Sequence, residues 1–143
     1  MSFEDLPADW PARPLGDPVI GADVVDLVVN DTDRRQGGLG FLLCRPEGSL
    51  AQPVMLTDVG HDPAGALTAM ARVVVDLPAT SGFVLAIARA RGGVDDADRA
   101  LHEHALQVCR EHALVLWGTY LVTLAGVRHL PVAAQLRPRS GVA

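Results

Sequence analysis

The sequence contains no lysine, and all 12 of its basic residues are arginine. Alanine, glycine and valine are abundant, so we attribute the arginine bias to a GC-rich bacterial genome. The net charge of −5 does not supply the basic footprint that nonspecific binding to nucleic acid phosphates requires. An acidic chain is also unsuited to docking on an anionic membrane. We therefore expect neither a nucleic acid nor a membrane as partner.

Aromatic residues make up only 4% of the chain, so valine, leucine, alanine and isoleucine must build the core. We expect the two cysteines, Cys44 and Cys109, to be reduced and buried. No apolar run reaches the length of about 18 residues that a membrane-spanning helix needs. The N-terminus lacks the residue succession of a targeting peptide. These features predict a cytoplasmic protein, and nothing in the sequence indicates a cofactor.

A length of 143 residues is typical of a single domain. Residues 1–18 carry four prolines among acidic residues and predict an extended arm. Phe3 and Trp10 are the side chains that can attach this arm to the domain or to a partner. The domain itself is expected over residues 19–136, followed by a flexible tail at 137–143.

Hydrophobic periodicity and turn residues predict the secondary structure. Strands are expected at residues 24–29, 39–44, 54–57, 83–88, 114–123 and 127–132, with a helical turn as the alternative for the first. Residues 30–38 resemble a polar turn. Helices are expected after the cap at Asp62 and over residues 95–112.

This element order predicts an α/β fold in a single domain. Its sheet is mixed but mostly antiparallel, has about five to six strands, and carries two main covering helices. The strand at 83–88, the second helix and the next strand form a parallel crossover, and the flanking hairpins are antiparallel.

The connection between the central strand and the second helix is the best candidate for a binding site, since ligands of α/β sheets favour the carboxyl ends of strands. Arg89 and Arg91 can bind a small anion there, with Asp95 and Asp98 beside them. The alternative is structural. The arginines are then solvated, and the carboxylates cap the helix and balance its dipole.

Histidines on the second helix raise the question of a metal. His102, His104 and His112 share that helix with Cys109, but no four-ligand set with metal spacing emerges. We therefore expect no metal site, and Asp98 with His102 and His104 is the alternative set. No nucleophile motif of the Gly-x-Ser-x-Gly type is present, so no catalytic residue is assigned.

The order of features from Leu39 to Leu130 resembles the JAB/MPN-type domain of the RadC family. That family carries His-x-His-Pro-x-Gly after a buried strand, followed by Ser-x-x-Asp at the next helix. Here Gly92 or Gly93 corresponds to the motif glycine and Asp98 to the aspartate, with Asp95 in place of the serine. Ile-Ala-Arg-Ala-Arg replaces the histidine segment. The resemblance implies a JAB/MPN-like fold in a metal-free relative without hydrolase activity.

The sequence therefore predicts a noncatalytic protein-interaction or self-associating module. A homodimer or a protein partner is expected, with one of the last two strands as a sheet edge that pairs with another copy. The alternatives are a metal-dependent hydrolase of JAB/MPN type, centred on Asp98, and a small-anion sensor that uses Arg89 and Arg91.

Overall fold

The computed structural model of the protein describes residues 6–130. These residues form one mixed α/β domain with a single five-stranded sheet and four α-helices, which confirms the predicted fold class. The elements in chain order are α1 (Pro18–Val28), α2 (Asp31–Gln36), β1 (Gly38–Cys44), β2 (Leu50–Leu56), α3 (Pro63–Val75), β3 (Gly82–Ala88), α4 (Asp96–Glu111), β4 (Val115–Thr123) and β5 (Gly126–His129).

The sheet has the strand order β2-β1-β3-β4-β5. Only β3 and β4 are parallel, joined by α4, and every other neighbouring pair is antiparallel. The mixed and mostly antiparallel sheet is therefore confirmed, as is the parallel crossover. All seven residues of β3 are buried, which is expected for a central strand that is covered on both faces.

Helices cover both faces of the sheet and divide the core into two layers. On one face, α3 and α4 pack on alternate strand residues that include Phe41, Phe83, Leu85 and Leu121. On the other face, α1 packs on the strand residues between them, which include Leu42, Val84, Tyr120 and Val122. The alternation follows from the two-residue period of a strand.

The strand expected at residues 24–29 is wrong, because this run belongs to α1. The side chain of Asp17 accepts a hydrogen bond from the Val19 amide at 2.9 Å, and Pro18 occupies the first turn. Ile20, Val24 and Val25 are buried at helical spacing. Asp-Pro is the same start signal that correctly predicted α3. A short apolar run does not distinguish a strand from a helix by itself.

The polar turn expected at residues 30–38 contains the short helix α2. Asn30 caps it by accepting a hydrogen bond from the Asp33 amide at 2.8 Å. Its Arg34 side chain is buried and lies against the end of α1. Arg34 donates to the carbonyl oxygens of Val29, Asp26 and Thr123 at 2.9, 3.1 and 3.0 Å, and to the Asp26 carboxylate at 3.0 Å.

The described part of the proline-rich arm docks on its own domain. It contains a short 3-10 helix at Trp10–Ala12, and Trp10 packs against the core layer under α1. Leu15 is fully buried, and its amide donates to the Gly48 carbonyl at 2.9 Å. The arm is thus less extended than predicted, and its last residue, Pro18, already belongs to α1. Phe3, the tail at 137–143 and the expected end of the last strand lie outside the described residues.

Both cysteines are free and buried, as predicted. Within residues 6–130, none of the helices combines the length and the apolar character that crossing a membrane demands.

Candidate functional site

Arg89 and Asp98 form an ion pair where the chain leaves β3 and enters α4. The guanidinium donates through Nη1 and Nη2 to the two carboxylate oxygens of Asp98, both at 2.7 Å. Nη2 also donates to the Gly93 carbonyl oxygen. This bidentate geometry is a strong form of arginine–carboxylate contact. It joins the residue after β3 to the first turn of α4.

The start of α4 explains why Asp98 turns inward. Asp95 caps the helix by accepting from the Asp98 amide at 2.8 Å, and the Asp98 side chain accepts from the Asp95 amide at 3.0 Å. This reciprocal capping box orients the Asp98 carboxylate toward Arg89 and leaves it buried. Asp95 and Asp98 therefore cap the helix, which is the structural alternative predicted for them.

The electrostatics of this pair keep both groups charged. Burial by itself would raise the pKa of Asp98, but the hydrogen bonds from Arg89 and from the Asp95 amide overcome that effect and lower it. The hydrogen bonds that Arg89 donates to Asp98 in turn raise the pKa of Arg89. Three of the five N–H donors of Arg89 are therefore engaged by protein acceptors, which reduces the capacity of this side chain for an external anion.

Of the four residues expected to bind a ligand, three are together. Asp95 is largely exposed and lies 3.8 Å from Arg89, so Arg89, Asp95 and Asp98 form one cluster. Arg91 is exposed on the following loop, and within residues 6–130 it takes part in no ion pair. The cluster is thus an internal ion pair with a helix cap, and no specific observation favours the small-anion sensor.

The residues of the alternative metal set have separate partners. His102 Nδ1 lies 2.7 Å from the Thr119 hydroxyl on β4, whereas His104 Nε2 lies 2.8 Å from the Thr68 hydroxyl on α3. Asp98 is engaged by Arg89. In the described chain, no group of three histidine, cysteine or acidic side chains is placed to hold a metal ion, and no specific observation favours the hydrolase.

The Thr68 hydroxyl lies within hydrogen-bond distance of two partners, the Ala64 carbonyl and His104 Nε2. The Thr68 hydroxyl donates to the Ala64 carbonyl at 3.0 Å, so its oxygen must accept from His104 Nε2. This contact joins α3 to α4.

Both thiols are in poor positions for nucleophilic chemistry. Burial raises the pKa of Cys44 to about 12 and that of Cys109 to about 11. The reactive form of cysteine is the thiolate, and neither residue forms it near neutral pH.

A surface at the β2 edge of the sheet was not predicted from the sequence. A cavity of about 260 Å³ lies between the end of α3 and the β1–β2 hairpin. We call this cavity together with Val73 the β2–α3 surface, and its lining residues are Leu43, Arg45, Ala51, Gln52, Leu77, Pro78, Ala79 and Thr80. Val73 is 55% exposed, and Leu77, one turn further along, is 37% exposed.

The free edge of β2 is interrupted by a proline. The Cys44 carbonyl accepts from the Ser81 amide on the β3 side, and the Arg45 amide donates to Ser49 on the β2 side. Because the backbone N–H and C=O groups of successive residues point to alternate sides of a strand, those of Leu42 point toward β3. Its partner across the hairpin, Pro53, therefore directs its nitrogen away from β1, to the free edge. Proline has no N–H, so this edge is protected against the addition of another strand.

A sequence signal for this edge was available. The segment Leu-Ala-Gln-Pro-Val-Met-Leu contains no charged residue, and proline in a strand is confined to edges or bulges. The strand was expected only at 54–57, and the shorter range left Pro53 outside it.

No family model, no curated protein and no solved structure matches this chain. The resemblance to the RadC-type JAB/MPN domain therefore stays a prediction. A functional proposal has to rest on the surfaces and contacts described above.

Proposed function

We propose that the protein is a noncatalytic interaction module that associates with a second copy of itself through the β2–α3 surface. The observation that carries the proposal is the exposure of Leu77 in the lining of a cavity that is formed mostly by apolar residues, with Val73 exposed one turn earlier. Exposed apolar surface that gathers at a cavity marks interaction sites on soluble proteins. Burial of a fully exposed valine or leucine contributes about 1.5–3 kcal/mol, so Val73 at 55% and Leu77 at 37% exposure gain roughly half and a third of that value. A two-fold interface uses each contact twice.

Charge supports a second copy as the partner. Each chain carries a net charge of −5, so two copies repel each other over most of their surfaces. Strand β2 carries no charge, and the lining of the adjoining cavity has Arg45 as its one charged residue. Two acidic chains can approach here without bringing carboxylates of the cavity lining together, which avoids the repulsion of like charges.

Pro53 determines the kind of contact. Because it blocks main-chain pairing at the β2 edge, the two copies meet through side chains, and their sheets remain separate. This differs from the edge pairing expected from the last two strands. Strand β4 lies between β3 and β5 and is not an edge, while β5 is an edge strand of only four residues.

Light scattering coupled to size-exclusion chromatography tests the proposal at tens of micromolar protein. We expect the wild type to be a dimer and Leu77→Asp to be a monomer with nearly unchanged thermal stability, since the substituted position is exposed. Leu124→Asp is the matched control. Leu124 is 44% exposed and lies in the β4–β5 turn, so this variant should remain dimeric.

A monomeric wild type would overturn the proposal. Equal loss of dimer in both aspartate variants would show that added negative charge, rather than the β2–α3 surface, controls association.

A further inference from the structure

His102 lies inside the contact between α4 and β4, with only 4% of the residue exposed. Its Nδ1 atom is 2.7 Å from the Thr119 hydroxyl. Its Nε2 atom is buried and has no hydrogen-bond partner, and it is the one such side-chain nitrogen or oxygen in residues 6–130. A polar atom in this state needs an explanation.

Protonation changes what this position requires. A neutral imidazole has one donor and one acceptor nitrogen, whereas the protonated ring has two donors. The Thr119 hydroxyl can accept from Nδ1, but no group among the described residues accepts from Nε2. A charged donor without a partner in an apolar interior is costly.

We propose that His102 is an acid-sensitive lock between α4 and β4, which holds the helix on the sheet when neutral and loosens it when protonated. This inference is independent of the proposed self-association, because α4 and the β2–α3 surface are different parts of the domain.

The charged groups around His102 do not compensate for its protonation. On α4, Asp98 lies one turn earlier but is already bonded to Arg89, and Glu103 is exposed. On β4 the facing residue is the neutral Thr119, and on β5 it is His129. Burial lowers the pKa of His102, Glu103 raises it in part, and His129 lowers it further.

The sign of the pH dependence follows from this direction. The unfolded chain has an ordinary histidine with a pKa of about 6.5, and the folded protein has a lower one. The unfolded state therefore binds more protons below about pH 6.5, and stability falls as the pH drops from there toward the folded pKa.

Urea unfolding between pH 7 and pH 5 tests the lock in the wild type and in His102→Asn, which retains a partner for Thr119. We expect the folding equilibrium constant of the wild type to fall relative to the variant, by at most about tenfold per pH unit because one proton is involved. His61→Asn changes an exposed histidine and should follow the wild type.

A second measurement does not depend on any variant being folded. Hydrogen exchange of the wild type, expressed as protection factors, should show α4 amides losing more protection between pH 7 and pH 5.5 than amides of α1. Parallel unfolding curves for wild type and His102→Asn, or a uniform loss of protection in the two helices, would overturn the inference.

Discussion

Replacing the buried Arg34 by methionine should destabilise the protein more than removing any other charge in α2. Arg34 is buried, and it makes four hydrogen bonds that tie the end of α1 to the end of β4. Three of the acceptors are main-chain carbonyl oxygens, and two of these, from Asp26 and Val29, belong to the end of α1, where helix carbonyls lack partners. Methionine fills most of the same space but donates to none of them.

The size of the effect follows from two opposing contributions. Removing one member of a buried ion pair typically costs about 3–5 kcal/mol. Methionine avoids the cost of burying a guanidinium. The Asp26 side chain is 20% exposed, so water can hydrate its carboxylate in the variant, which reduces the loss of stability. We expect a loss of ~3 kcal/mol in the free energy of unfolding, which lowers the unfolding midpoint by roughly 10 °C for a domain of this size.

Chemical denaturation followed by circular dichroism measures the change, and Arg35→Met provides the control. Arg35 is the next residue of α2 and is exposed, so this variant makes the same change of charge and helix propensity without the buried contacts. We expect it to lie within about 0.5 kcal/mol of the wild type. If Arg34→Met were as stable as Arg35→Met, the four hydrogen bonds would not stabilise the fold, and the reasoning would be wrong.

Two further predictions concern the central strand and the thiols. Gly82→Ala should cost about 3 kcal/mol or more in the free energy of unfolding, because the added methyl overlaps the main-chain carbonyl of Val115, whereas Gly93→Ala meets nothing within 4 Å. Comparison of their thermal midpoints tests this, and equal midpoints would contradict it. Cys44 and Cys109 should resist alkylation by iodoacetamide at pH 8 in the native protein and react in denaturant, since burial raises the pKa of both thiols. Mass spectrometry counts the modified residues, and stoichiometric labelling without denaturant would refute the prediction.

Elements with local signals were predictable from the sequence. Asp62 followed by proline correctly indicated the start of α3, and the helix expected over residues 95–112 is α4, which spans Asp96–Glu111. The uninterrupted apolar run at residues 83–88 correctly predicted the strand β3. In each case the signal depends on neighbours within one or two turns of chain, which a sequence displays directly.

The errors arose where two local signals competed. The run at residues 24–29 is apolar enough for a buried strand, but Asp17 and Pro18 begin a helix before it. The helical outcome depends on α1 covering the second face of the sheet, where Tyr120 and Val122 require an apolar partner. That requirement comes from residues about a hundred positions away in the chain.

The sequence by itself determined the composition of the core, the caps of α3 and α4, and the order of strands and helices from Leu39 onward, because these depend on side-chain chemistry and short-range spacing. Only the tertiary structure decided that Arg89 is engaged by Asp98, that His102 has a buried nitrogen without a partner, and that β2 is an edge strand. Each of these facts concerns which groups meet across the sheet or across a helix contact. Such tertiary contacts depend on how distant segments pack, and the spacing of residues along the chain does not specify them.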